Sequence, residues 1–408
     1  MIQKFFHTAG LFFLLFPVLS AQTIPITDNN LARSYSFIHP VFNTVQYSSG
    51  LDSFYYKLHL LKKNAGDVVS IVHIGDSHIQ ADFLSGVVRE GLQQYFGNAG
   101  RGLVFPYQLA QSNAPPDISS SSNTRWQFNR VAHPEIPISY GISGYGIKTN
   151  TDGASVSLSL RPDALGSQAF SRLRFFLDSN HSNSWMFRTE NMVTPFAVQN
   201  DSTPSLYKEV VLDSSASSFS MTSLPSGNAK ELYGVSLENS GPGILYHTIG
   251  VNGARYDHYN KAALFWKQLT ALNADLFIIS LGTNEAQALS VSENIFRQEI
   301  ASFIEKLKAV SPGASILIAS AADSYKRRRL NLAMKQVNHI LAAYCEQNNV
   351  PFWDLYRITN GHGSAYNWSR RGLMNRDRIH FTAEGYRVQG LLLFNALAKG
   401  YNSFISTD

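Results

Sequence analysis

The sequence predicts an α/β protein in which a parallel sheet covered by helices is interrupted by an inserted all-β sandwich. Three observations predict it. Apolar strand-like runs alternate with amphipathic helical patterns in two separated regions. The stretch between them is rich in Ser and Asn and dominated by period-2 alternation. The chain's 408 residues, 44% apolar and only 15% charged, suffice for a large core and more than one domain.

In chain order, Lys4, an apolar run from Leu11 to Leu19 and small Ser20 and Ala21 read as a secretory signal peptide over 1–21. The run is short for a membrane span, and no other stretch is long and apolar enough, so no stable membrane anchor is expected after cleavage. The first α/β segment, 22–107, holds a buried strand from Val68 to Ile74. A helix follows whose apolar residues Phe83, Leu84, Val87, Val88, Leu92, Tyr95 and Phe96 share one 3.6-period face. Over 108–240, Ser155-Val156-Ser157-Leu158-Ser159-Leu160 and Leu173–Leu177 alternate as strands, with a turn at Asp201-Ser202-Thr203-Pro204. One elaborated α/β domain with long loops is the less favoured alternative, because structureless loops of such length are rare. The second α/β segment, 241–408, continues with strands at Leu276–Leu281, Ser315–Ala319 and Pro351–Leu355 and helices at Ile295–Leu307 and Leu332–Tyr344.

The single cysteine, Cys345, excludes an internal disulfide and a thiolate zinc cluster, and its helical stripe of Met334, Val337, Leu341 and Tyr344 marks it as buried. A net charge of +5 suits an anionic polymer without demanding one, and no nucleic-acid partner is expected. The run Lys326-Arg327-Arg328-Arg329 reads as a solvated helix start, with phosphate or polyanion binding the less favoured reading.

Asp-Ser occurs six times, but only Asp76-Ser77 follows a long apolar run, sits behind a glycine and opens an amphipathic helix. A serine on such a strand-to-helix turn stands at the carboxyl edge of the sheet, where open α/β folds place ligands. Backbone N–H groups there can face a developing oxyanion, and Gly75 permits the tight turn. The bland reading is a helix cap. A serine hydroxyl needs a base to become nucleophilic, and Asp377-Arg378-Ile379-His380 supplies a carboxylate three residues from an imidazole. The same spacing recurs at Asp178 and His181, inside the β-rich segment, where only polar residues facing solvent are expected. Oxyanion donors are available after two apolar strands: the Gly253 N–H in Ile249–Ala254 and the Asn284 amide in Leu281–Glu285, each also readable as an ordinary turn.

In this order the blocks resemble the SGNH, or GDSL, hydrolases. The resemblance covers about 50–105 and 240–400 and implies a flavodoxin-like three-layer α/β/α fold and no cofactor. It also implies a triad of Ser77, His380 and Asp377, with Ser77, Gly253 and Asn284 holding the oxyanion. Gly75–Gln80, Gly97-Asn98-Ala99-Gly100 and Gly282–Ala286 are similar to bacterial peptidoglycan O-acetylesterases, which carry an inserted carbohydrate-module-like sandwich. That likeness implies an exported esterase with an O-acetylated glycan partner, peptidoglycan bearing 6-O-acetyl N-acetylmuramic acid first, and a glycan-binding candidate in the insert. An O-acetyltransferase, an esterase on another polysaccharide and a non-catalytic glycan-binding protein remain alternatives. Glu285 departs from the family's commoner aspartate and is assigned no role. His73, Asp76 and His78 could suggest a metal site, but their spacing across a strand-to-turn junction disfavours one. His73 is expected in the strand core, and His247, His258 and His362 in the cleft or on the surface.

Overall fold

The computed structural model describes residues 23–178, 184–198 and 205–407. The predicted leader, His181 and the predicted turn at 201–204 lie outside them. Five parallel strands, Val68–Gly75, Gly243–Gly250, Leu276–Ser280, Ser315–Ala319 and Phe352–Trp353, form the central sheet in the order second, first, third, fourth, fifth. Val45–Gln46 pairs antiparallel on the outer edge of the fifth. This is the flavodoxin-like order, whose direction of winding reverses at the first strand and opens a crevice at its carboxyl end. Gly75, the last residue of that strand, is in register with Gly250 on one side and Ser280 on the other, so the chain enters Ser77 at the reversal.

Alternation along each strand feeds two cores. Val72 and Ile74 join Phe277, Ile279, Ile316 and Ile318 beneath the helices Glu293–Val310 and Leu332–Asn348. Val69 and Ile71 join Leu276, Ile278 and Leu317 beneath Asp52–Lys62, Phe83–Phe96 and the long terminal helix Ala383–Thr407. In Phe83–Phe96, Leu84, Val88, Leu92 and Phe96 are buried at i, i+4 spacing, each stabilising the layer by roughly 1.5–3 kcal/mol. Cys345 is buried and free.

The middle of the chain forms two antiparallel sheets. One contains Ile118–Ser121, Ser155–Leu160, Trp185–Thr189, Phe196–Val198 and Ser218–Ser223. Its alternation is visible in Ser155–Leu160, where Val156, Leu158 and Leu160 are buried and the serines are half-exposed. The other sheet contains Gln127–Arg130, Tyr145–Thr149, Phe170–Leu177, Lys208–Ala216 and Lys230–Glu238. Gly100–Val104 also pairs with Lys230–Glu238, so β pairing begins before residue 108. That strand packs against Gly243–Gly250 of the central sheet so closely that a Cβ on Gly102 would lie 2.2 Å from the Tyr246 carbonyl oxygen.

Several local expectations differ from the structure. The strand predicted at Pro351–Leu355 is only Phe352–Trp353, because Asp354 accepts a 3.0 Å bond from the Arg357 N–H and caps the helix Leu355–Ile358. Lys326–Arg329 is not a helix start. Tyr325–Lys326 and Arg329–Leu330 pair as a hairpin through Arg327 and Arg328, both at positive φ, and the helix begins only after the Asn331 cap. His247 is neither in the cleft nor on the surface. It is wholly buried, accepting the Leu103 N–H at 3.0 Å, while His258 is half-buried and His362 exposed. Among the described residues no helix is long and apolar enough to cross a membrane.

The candidate active site

Ser77 opens the short helix Ser77–Gln80, and its N–H, at the first helical position, has no intrahelical partner. Asp76 caps that helix by accepting the His78 N–H at 2.9 Å. The turn is tight: a Cβ on Gly75 would lie 2.4 Å from Ile79 Cγ1, and one on Gly250 would lie 2.1 Å from the Gln80 nitrogen. Glycine is required at both positions by close approach of the chain.

From the far end of the sequence, the loop before Ala383–Thr407 brings His380 to the serine. Ser77 Oγ and His380 Nε2 lie 2.8 Å apart, and His380 Nδ1 and Asp377 Oδ2 also lie 2.8 Å apart. Asp377 Oδ1 accepts the N–H groups of Ile379 at 2.9 Å and His380 at 3.0 Å, so the carboxylate shapes its own loop. Partial burial raises the Asp377 carboxyl, but the hydrogen bonds from His380 and Ile379 outweigh it and hold the group below the usual carboxylate range. The side chains of His380 and Asp377 remain 36% and 47% exposed. The His380 end of the site is therefore open to solvent.

Gly253 and Asn284 flank the same serine. Gly253 sits at φ +81°, a left-handed turn that favours glycine, and its N–H makes no hydrogen bond among the described residues. Asn284 Nδ2 donates to the Ala254 carbonyl at 2.9 Å and reaches Asp76 Oδ2 at 3.3 Å. The amide thus ties the Gly253 loop to the turn carrying Ser77, and only its longer bond leaves a proton to be redirected toward a substrate oxygen.

Burial dominates the remaining charges. It pushes the Asp76 carboxyl up to about 7 against the opposing bond from the His78 N–H, and it pushes Glu285 up to about 7 although the Tyr256 N–H donates to it at 2.9 Å. His78, also buried, is pushed down to about 3, with nearby His380 adding to the effect. Its Nδ1 lies 3.0 Å from the Tyr386 hydroxyl, and its ring lies 5.3 Å from that of His380. His73 lies in the strand core as expected, with both ring nitrogens engaged at 2.8 Å by Tyr246 and Ser280. His73, Asp76 and His78 do not converge on a metal-ligand group.

Two features went unread in the sequence. Gln80 bridges the sandwich and the Gly253 loop: its Nε2 donates to Ser112 Oγ and the Asn113 carbonyl, while its Oε1 accepts from Tyr145 and the Asn252 N–H. Beyond it, Asp82 accepts bonds from buried Arg89 and Arg101, and Arg101 also pairs with Asp117. Those arginines keep the Asp82 carboxyl low despite its burial. Nothing in the local pattern around Gln80 announces partners 32 to 172 residues away.

Residues 218–388 match the GDSL-like Lipase/Acylhydrolase family, a segment that includes Gly253, Asn284, Asp377 and His380 but not Ser77. No curated protein matches the chain. Among solved structures, one described as a peptidoglycan O-acetylesterase aligns with a TM-score of 0.72 at 22% identity, covering 86% of this chain and 96% of that one. A GDSL-like lipase from Bacteroides thetaiotaomicron aligns at TM-score 0.30 and 23% identity over 38% of this chain and 76% of its own. A family two carbohydrate esterase from Cellvibrio japonicus aligns at TM-score 0.29 and 12% identity, covering 69% and 99%. The first of these shares the SGNH-type α/β fold with its extra β-rich region. Through the matched segment the chain is similar to the GDSL-like lipase/acylhydrolase family, and that match together with the Ser77, His380 and Asp377 geometry supports a carboxylic ester hydrolase.

Proposed function

We propose that this protein is an exported O-acetylesterase that removes acetyl groups from a glycan, with peptidoglycan as the first candidate. The observation that carries the reading is the hydrogen-bonded line from Ser77 Oγ through His380 to Asp377, 2.8 Å at each link. In the proposed reaction Ser77 Oγ attacks the acetyl carbonyl carbon as its proton passes to His380 Nε2. Asp377 holds the imidazole by Nδ1 and stabilises the imidazolium. The Ser77 and Gly253 N–H groups, joined by the Asn284 amide, receive the oxyanion, a contribution of roughly 10²–10³ in rate for a single donor. His380 then protonates the departing sugar oxygen, leaving acetyl-Ser77. Water, deprotonated by His380, attacks that ester and releases acetate as the proton returns to Ser77.

The likeness to a solved peptidoglycan O-acetylesterase supports the choice of polymer, and the open setting of His380 and Asp377 supports a bulky substrate. Export rests on the apolar run ahead of Ser20 and Ala21. Acetate release from O-acetylated peptidoglycan and from acetylated xylan tests the reading. Faster release from peptidoglycan is expected, and release from xylan alone would reject peptidoglycan as the substrate.

A further inference from the structure

The hairpin Tyr325–Leu330 has no place in the chemistry above, yet it is built into the rim of the site. The Tyr325 N–H donates to the Arg378 carbonyl at 2.9 Å, and Arg378 lies in the loop between Asp377 and His380. On its other side, Gln287 Nε2 donates to the Tyr325 carbonyl at 2.9 Å, from the short helix Thr283–Gln287 that carries Asn284. Two of the loops that supply polar groups around Ser77, those of His380 and Asn284, therefore touch this hairpin. The Arg378 guanidinium stacks 4.8 Å above the Tyr325 ring, and Lys326 is spent on the carbonyls of Ala286 and Ala288.

Arg378's stacking apart, the arginines are not spent. Arg327, Arg328, Arg329, Arg376 and Arg378 are all exposed, and none forms an ion pair or side-chain hydrogen bond among the described residues. Arg327 and Arg328 occupy the hairpin tip at φ +49° and +66°, where Asn and Gly are the residues of low strain. Backbone strain at two consecutive arginines is kept at a cost in folding, at the tip of a hairpin whose first strand is bonded to the loop between Asp377 and His380. Guanidinium forks match carboxylates bidentately.

We propose that this arginine edge binds carboxylates carried by the polymer, so that the enzyme selects acetylated glycans that are also acidic. The proposal rests on the esterase reading and deepens it by naming the substrate class. A peptide-bearing glycan would meet the edge with its stem carboxylates. An acetylated uronic-acid polymer would meet it with its sugar carboxylates.

Acetate release is measured on acetylated xylan, which is neutral, on O-acetylated polygalacturonate and on O-acetylated peptidoglycan, each at low and high salt. The parent is expected to favour an acidic polymer over xylan, with the preference shrinking as salt screens exposed charge. The variant Arg327→Asn/Arg328→Asn removes both charges while suiting the left-handed tip better than arginine. Arg329→Gln/Arg376→Gln tests ordinary backbone positions. Each exposed pair contributes roughly a 1.4- to 5-fold factor, so either double variant is expected to lose about 2- to 30-fold more rate on an acidic polymer than on xylan. The loss should lie in KM, since such binding is equal in ground and transition states. An unchanged acidic-to-neutral ratio in both variants, or no salt-dependent preference in the parent, overturns the proposal. Activity on polygalacturonate but not peptidoglycan would reject the peptidoglycan assignment while the arginine edge stands.

Discussion

The two halves of the site are held in different ways. Ser77 leaves a buried strand on a turn where Gly75 and Gly250 leave no room for a side chain, with Gln80 and Asp82 wired into the β sandwich. Asp377 and His380 instead occupy a partly exposed loop organised by the carboxylate itself, which accepts three hydrogen bonds from residues no more than three positions away. The serine half is fixed by long-range packing, and the histidine half by local chemistry. Damage to the first should cost stability together with activity, whereas damage to the second should cost activity alone.

Asp377→Asn gives the largest expected separation. An amide preserves the loop's acceptor for the Ile379 and His380 N–H groups but cannot stabilise the imidazolium, so kcat on a small acetyl ester should fall by about 10⁴-fold. Unfolding free energy in denaturant should move by less than about 1 kcal/mol, given the side chain's exposure. A comparable loss of stability would show that the loop is not self-contained. Arg101→Ala probes the other half: it leaves buried Asp82 and Asp117 short of a partner and should cost about 3–5 kcal/mol of stability in a denaturant titration. An unchanged midpoint would disconnect the serine turn from the sandwich.

The subtlest expected effect is a slope. Burial raises Glu285 to about 7, above its unfolded value, so the native state holds the proton more tightly and stability declines as pH rises from about 4.5 toward 7. Glu285→Gln keeps an acceptor for the Tyr256 N–H and removes the ionisation, so the variant's stability should fall less across that window. Equal slopes would place the titration elsewhere.

The same contrast explains what could be read from the chain. The alternation of strands and helices follows from burial on both faces of the sheet, and Ser77 stood out because its dipeptide alone followed a buried run. Asp377 and His380 were legible because their pairing is three residues long. Gln80 and Arg101 were not, since partners 16 to 172 residues away leave no periodic trace in local sequence. Burial of His247 was hidden for a related reason: its acceptor role toward Leu103 exists only once Gly100–Val104 packs against Gly243–Gly250. The hairpin at 325–330 was missed because its tip carries arginines where turn chemistry calls for Asn-Gly.

The central claim is that Ser77 carries the acyl group. Treating the purified protein with a fluorophosphonate and locating the adduct by peptide mass tests it directly. The account predicts one modification, on Ser77, together with loss of acetate release, and neither labelling nor hydrolysis in a folded Ser77→Ala variant. Hydrolysis at the parental rate by that variant, or an inactivating adduct on another residue, would contradict it.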